Sequence, residues 1–223
     1  MGASEERGLA LDRPPGGLSL RARLGDASTV LLCGSHASSR DHAICNRLLS
    51  LRDPGIQNVV CFDFSQSVEE RLGRYVDLVG DPPANLLLVR VGGRSPTPTR
   101  NRDGPSFDPD DLGITPVVET VSDPADLTGM GIALNRALEA WSPTANQTIV
   151  CFHTLTMLLQ YVDTERVYRF LHVLTSQLAE ADALAHVHVD PHAHEPRTLS
   201  TLSTLFDVVV RTTDDGGVTV DPR

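Results

Sequence analysis

Four of the eight histidines of this 223-residue chain fall in one nine-residue stretch, HVHVDPHAH: His186, His188, His192 and His194, with Asp190 among them. On a strand, side chains two apart share a face, so His186, His188 and Asp190 are expected on one side and Val187 and Val189 on the other. Two imidazoles and a carboxylate are a ligand set suited to zinc or iron. Pro191 ends the run, and His192 and His194 could fold back from the turn. The plainer reading is a polar rim at the carboxyl end of a core strand, with Asp190 orienting the loop that follows.

The second chemistry-bearing stretch is LLCGSHASSRDHAICNRLL, an apolar run, a Gly/Ser-rich turn and a helix start. In a phosphate-binding loop of the form G-x-x-x-x-G-K-[ST], backbone donors and a lysine hold the phosphates and a hydroxyl meets magnesium. Gly34 keeps the first position of that pattern. Ser39 stands for the second glycine, Arg40 for the lysine, and Asp41 puts a carboxylate where a polyanion would sit; Ser38 completes the turn. A guanidinium can still hold phosphate, which leaves weak nucleotide binding as one alternative.

The chain contains no lysine; nineteen arginines face twenty aspartates and nine glutamates, for a net charge of -10. Such a surface repels nucleic acid and anionic membranes, so neither is expected as a partner. It suits a high-salt cytoplasm, where screening reduces self-repulsion. Cys33, Cys45, Cys61 and Cys151 include no C-x-x-C pair, and the first, third and fourth sit in apolar runs. They read as reduced core thiols of a cytoplasmic protein. No apolar stretch approaches the ~18 residues of a membrane span.

Apolar runs at 29–33, 57–63, 85–91, 147–152, 184–190 and 207–211 alternate with helical patterns, which predicts a largely parallel sheet covered on both faces. Residues 1–27 read as a flexible arm or edge element and 28–223 as one domain, with a final antiparallel edge strand near Gly217–Val220. Ser67-Val68-Glu69-Glu70 is a capping box. Asp123-Pro124 reads as a helix start, followed by a face of Leu127, Met130, Leu134, Leu138 and Trp141; Gly129 and Gly131 within it suggest a close approach to the sheet. Val167, Phe170, Leu171, Leu174, Leu178 and Ala181 make another amphipathic helix. The segment 92–113, GGRSPTPTRNRDGPSFDPDDLG, reads as a surface insertion, with Arg94, Arg100 and Arg102 as candidate anion contacts.

From Thr148 to Val210 the sequence resembles the RecA-like ATPase superfamily, in particular the KaiC-like proteins of halophilic archaea. The residues that carry this are TIVCFHTLTMLLQYVDTERVYRFLHVLTSQLAEADALAHVHVDPHAHEPRTLSTLSTLFDVVV. The resemblance implies an α/β three-layer sandwich with the Val30–Cys33 strand central and a nucleotide site at Gly34, Ser38, Ser39, Arg40, Asp41 and His153. His153 stands where the family delivers a magnesium-organising aspartate, and imidazole is a poor ligand for that hard ion. A water-orienting carboxylate would map near Asp63 or Ser65. With lysine, hydroxyl and acidic positions all altered, ATP hydrolysis is expected to be lost. The expectation is therefore a non-catalytic regulatory protein, with no cofactor assigned, that acts through a protein partner or as a homo-oligomer. The alternative is an enzyme or metal-binding protein using His153, His186, His188 and Asp190, as active groups gather at the carboxyl ends of parallel strands.

Overall fold

Strands form where the sequence is apolar on both faces, because a parallel sheet must be covered on both sides. The computed structural model describes residues 20–35, 39–49, 56–64, 82–92, 116–212 and 217–223. Strands β1 (Thr29–Cys33), β2 (Gln57–Asp63), β3 (Asn85–Val91), β4 (Val117–Val121), β5 (Gln147–His153), β6 (Leu184–Val189), β7 (Val208–Thr212) and β8 (Val218–Pro222) make one eight-stranded sheet. Its order is β4-β3-β2-β5-β6-β1-β7-β8, and only the β7–β8 pair is antiparallel. The architecture is an α/β sandwich with a mixed, mainly parallel sheet flanked by helices. β1 is interior, between β6 and β7, but the middle of the sheet belongs to β5 and β6 rather than to β1.

Helices α1 (Leu20–Leu24), α2 (Ser39–Leu49), α3 (Leu127–Trp141), α4 (Leu155–Tyr161), α5 (Thr164–Glu180) and α6 (Pro196–Ser203), with a short 3-10 turn at Pro191–Ala193, complete the described elements. On one face, Phe62, Val89, Val150, Phe152 and Val187 pack against Met130 and Leu134 of α3, Leu158 of α4, Leu171 of α5 and Leu202 of α6. Phe152 anchors this layer, with ring centroids 5.3 Å from Phe62 and 6.3 Å from Phe170. On the other face, α2 lays Ile44 and Leu48 on Val30 and Leu32, and Cys45 and Leu49 among Val59, Cys61, Ile149 and Cys151. Alternation along β5 and β6 thus sends Cys151, His186 and His188 to the α2 side.

Several expectations change in detail. β4 lies at the sheet edge with Val117 and Val118 exposed and only Val121 buried, so its apolar signal is too thin to read. Asp126, not Asp123, caps α3, its carboxylate accepting from Gly129 N at 2.8 Å. A Cβ on Gly129 would collide with that carboxylate, and one on Gly131 would meet nothing, so neither glycine serves a close approach to the sheet. Described structure starts at Leu20, and Leu24 of α1 is buried among residues of β1, α2 and β7. Ala181 is the exposed C-cap of α5 rather than part of its buried face. The capping box at Ser67, the position of Ser65 and the arginines of the 92–113 insertion lie outside the described residues.

A candidate metal centre of two cysteines and two histidines

Three elements bring four soft donors together inside the α2 face. α2 supplies Cys45, β5 supplies Cys151 and β6 supplies His186 and His188. Cys151 and His186 are register partners across the β5–β6 pair, and the two-residue spacing on β6 puts both imidazoles on the same side. Cys45 Sγ lies 3.7 Å from Cys151 Sγ and 3.3 Å from His186 Nε2, and Cys151 Sγ lies 3.7 Å from His188 Nε2. All four donor atoms fall within 4.8 Å of one another, and all four residues are buried.

Those separations match the edges of a coordination tetrahedron. Bonds of about 2.3 Å to sulfur and about 2.0 Å to nitrogen put two thiolates about 3.8 Å apart and a thiolate and an imidazole about 3.5 Å apart. No donor pair would need to close by more than about 1.5 Å. His186 is fully buried, and the ring nitrogen that faces Cys45 is Nε2. Its Nδ1 meets no hydrogen-bond partner among the described residues, so coordination through Nε2 would leave that second nitrogen unsatisfied. The four cysteines are free thiols, none joined in a disulfide.

The surroundings are ordered by hydrogen bonds at the carboxyl ends of the strands. Thr154, the N-cap of α4, donates through Oγ1 to the His188 carbonyl at 3.0 Å. The Asp190 backbone N–H donates to Thr156 Oγ1 at 2.8 Å. His153, also buried, stands edge-on to His188 with ring centroids 4.7 Å apart, and Asp63 is its register partner on β2.

The residues singled out in the sequence separate into three groups. His186 and His188 lie in the four-donor cluster. Asp190 does not: β6 ends at Val189, and the Asp190 carboxylate accepts from His192 N at 2.9 Å, capping the short 3-10 turn Pro191–Ala193. His192 is exposed, while His194 Nε2 lies 3.2 Å from Thr156 Oγ1. Burial lowers the His194 pKa from its usual value, and the Asp190 carboxylate partly opposes that shift.

Around the loop, Gly34 follows β1, and its N–H donates to the Val189 carbonyl at 3.0 Å. The Asp41 carboxylate is buried and fills the space directly over Gly34, where a Cβ would collide with it. Ser39 and Arg40 open α2, and their side chains, like all of Ser38, lie outside the described residues. Cys33 points to the face opposite the cluster, and burial raises its thiol pKa to about 11.

This cluster corrects the expectation of a non-catalytic regulatory protein, a pseudoenzyme working through partner contacts alone. Two thiols and two imidazoles gathered in the core can hold a metal, as a cofactor site or a catalytic one. Sequence reasoning reached the two histidines through their alternate spacing. It missed Cys45 and Cys151, because Cys45 lies 106 and 141 residues from Cys151 and His186, and Cys151 lies 37 from His188, which leaves no local spacing to recognise. The one available signal was polarity: two histidines in a strand otherwise apolar on both faces.

Among solved structures, the chain is similar to a Pyrococcus horikoshii OT3 protein from a structural project, with 12% identity, TM-score 0.52 and coverage of 87% of this chain and 85% of that one. It is also similar to the ATPase domain of another protein, with 10% identity, TM-score 0.53 and coverage of 87% of this chain and 80% of that one. An uncharacterized Pyrococcus horikoshii protein in complex with an unknown peptide matches with 16% identity, TM-score 0.48 and coverage of 86% and 81%. The first two likenesses show a distant structural relationship to RecA/ATPase-like folds. No match was found among curated proteins. Among the described residues, no helix is long and apolar enough to cross a membrane. The model of the family of unknown function DUF7504 matches residues 27–212, and the chain belongs to that family.

Proposed function

We infer that the protein is a metal-binding α/β protein whose centre is a zinc ion held by Cys45, Cys151, His186 and His188. The observation that carries this reading is the set of three donor distances, 3.7, 3.3 and 3.7 Å, in a fully buried cluster. Four protein donors close the coordination sphere, which is the form of a structural zinc site. The ion would tie α2 to the middle of the sheet, and its binding energy would become folding energy. A catalytic use of the same centre is the second reading, favoured by the position of His153 and Asp63 beside it at the carboxyl ends of β5 and β2; an open coordination position would then be required.

The finer family reading, a KaiC-like branch from halophilic archaea with an altered phosphate loop, rests on the 148–210 resemblance and the Gly34–Asp41 pattern. Under that reading Gly34, Ser38, Ser39, Arg40, Asp41 and His153 mark the ancestral nucleotide site, and the acidic, lysine-free surface belongs in a salt-rich cytoplasm.

The test is metal analysis of full-length protein purified without a nickel column, together with replacement of the native metal by Co(II). The expected result is about one zinc per chain and the intense visible bands of tetrahedral cobalt with thiolate ligands. Metal content near zero, with no rise in thermal midpoint on adding zinc, would refute the metal reading, since a ligand of the folded state must stabilise it.

A further inference from the structure

On the face away from the metal cluster, α3 and α5 leave an open groove of about 510 Å³ between them. Leu174 forms part of its buried floor, Phe170 is half-buried, and Ile132 and Val173 expose 47% and 54% of their surface on its walls. Ile132 and Val173 thus give the groove an apolar rim on two facing helices.

Two observations say what kind of body would fit the groove. Arg166 and Arg169 line the groove and, among the described residues, no acidic one does, in a chain where acids outnumber bases by 29 to 19. The Glu165–Arg169 pair on α5, 3.8 Å apart and exposed, is too weak to neutralise that patch. Gly131 also lines the groove from the middle of α3, and a Cβ there would meet nothing within 4 Å among the described residues. Glycine inside a helix costs about 1 kcal/mol relative to alanine, and no contact among the described residues accounts for it here. A backbone approaching closely from outside would account for it, as small residues allow at helix crossings.

We propose that the α3–α5 groove is a docking site for an acidic amphipathic helix of a partner protein, its apolar face seated between Ile132 and Val173 over Gly131 and its carboxylates on Arg166 and Arg169. Gln177 and Arg166 mark the ends of the α5 wall, and the roughly twelve residues they bound, at about 1.5 Å rise each, give a seat of about 16 Å, or about three turns. A second copy of the chain fits poorly, because two-fold pairing would bring the arginines of both copies together.

The test uses fluorescence polarisation with a labelled helical peptide of about twelve residues, leucines on one face and glutamates flanking them, against the same peptide with lysines for glutamates. The wild-type chain should bind the acidic peptide saturably and the basic one about tenfold more weakly or worse. Gly131→Leu, which favours the helix and leaves the fold intact by circular dichroism, should weaken the acidic peptide at least about tenfold. Arg166→Glu with Arg169→Glu should reverse the preference. Absence of saturable binding, equal affinity for both peptides, or indifference to Gly131→Leu would overturn the proposal. So would a wild-type dimer in sedimentation that Ile132→Glu converts to monomer, which would make the occupant a second copy. Metal content has no part in these readouts, so this proposal and the metal reading fail separately.

Discussion

Cys45 Sγ and Cys151 Sγ stand 3.7 Å apart across the α2–β5 interface, although 106 positions separate them in the chain. That is the spacing of two thiolates on one tetrahedral ion. Replacing either with serine should abolish stoichiometric zinc. Cys33→Ser and Cys61→Ser should leave metal content unchanged, since neither thiol belongs to the cluster. With zinc at about 1,000 times its dissociation constant, loss of the ion removes about 4 kcal/mol of stability, readable as a lower thermal midpoint. Equal zinc content in all four variants would mean the metal sits elsewhere.

Cys33 offers a pH test on the opposite face. Burial raises its thiol from 9.0 to about 11, with Arg211 and Arg223 partly opposing. A group whose folded pKa is raised lends stability that is whole below the unfolded value and is lost as pH rises through the folded one. Stability from Cys33 should therefore fall between pH 9.0 and about 11, and Cys33→Ala should flatten that part of the profile. Iodoacetamide should spare Cys33 in the folded protein at about pH 8, because the thiol stays protonated and covered; rapid native alkylation would contradict this.

The carboxylate of Asp41 occupies the space over Gly34, so the two positions should be energetically coupled. Gly34→Ala alone should cost about 1–3 kcal/mol through overpacking. In an Asp41→Ala background the same substitution should cost little, giving a coupling of about 1 kcal/mol or more in a double-mutant cycle measured by urea unfolding. Strict additivity would show that the carboxylate moves aside freely.

Asp207 joins the start of β7 to the start of β1. Its Oδ2 accepts from Ser28 N and Thr29 N, each at 2.9 Å, and from Thr29 Oγ1 at 3.0 Å. Asp207→Ala strands the Thr29 donors, which are buried, and should destabilise the chain by about 2 kcal/mol. Asp207→Asn, which keeps an acceptor oxygen, should cost less. An unchanged denaturation midpoint for the alanine variant would sink the assignment.

Most of the sheet was legible because its interior strands are apolar on both faces; β2, for example, is buried from Gln57 to Asp63. β4 was not, because an edge strand covered on one side needs only Val121 in the core. At the site, alternation identified His186 and His188 as neighbours on one face. It then carried Asp190 along with them, one residue past the point where β6 ends and the chain turns. Gly131 shows the opposite failure: its cost to α3 was visible in the sequence, but the reason assigned to it was internal, and the structure leaves that side open.

The chain separation within the cluster also sets an order of events during synthesis. Cys45 leaves the ribosome 141 residues ahead of His186. At roughly 5–20 residues per second that is about 7–28 s during which its thiol has no complete site to enter. The strand carrying both histidines then inserts beside β1, already made, and beside β5, just made. An ion captured early by Cys45 would have to wait for, or be passed to, partners not yet translated, so loading of the proposed metal centre would follow the synthesis of β6.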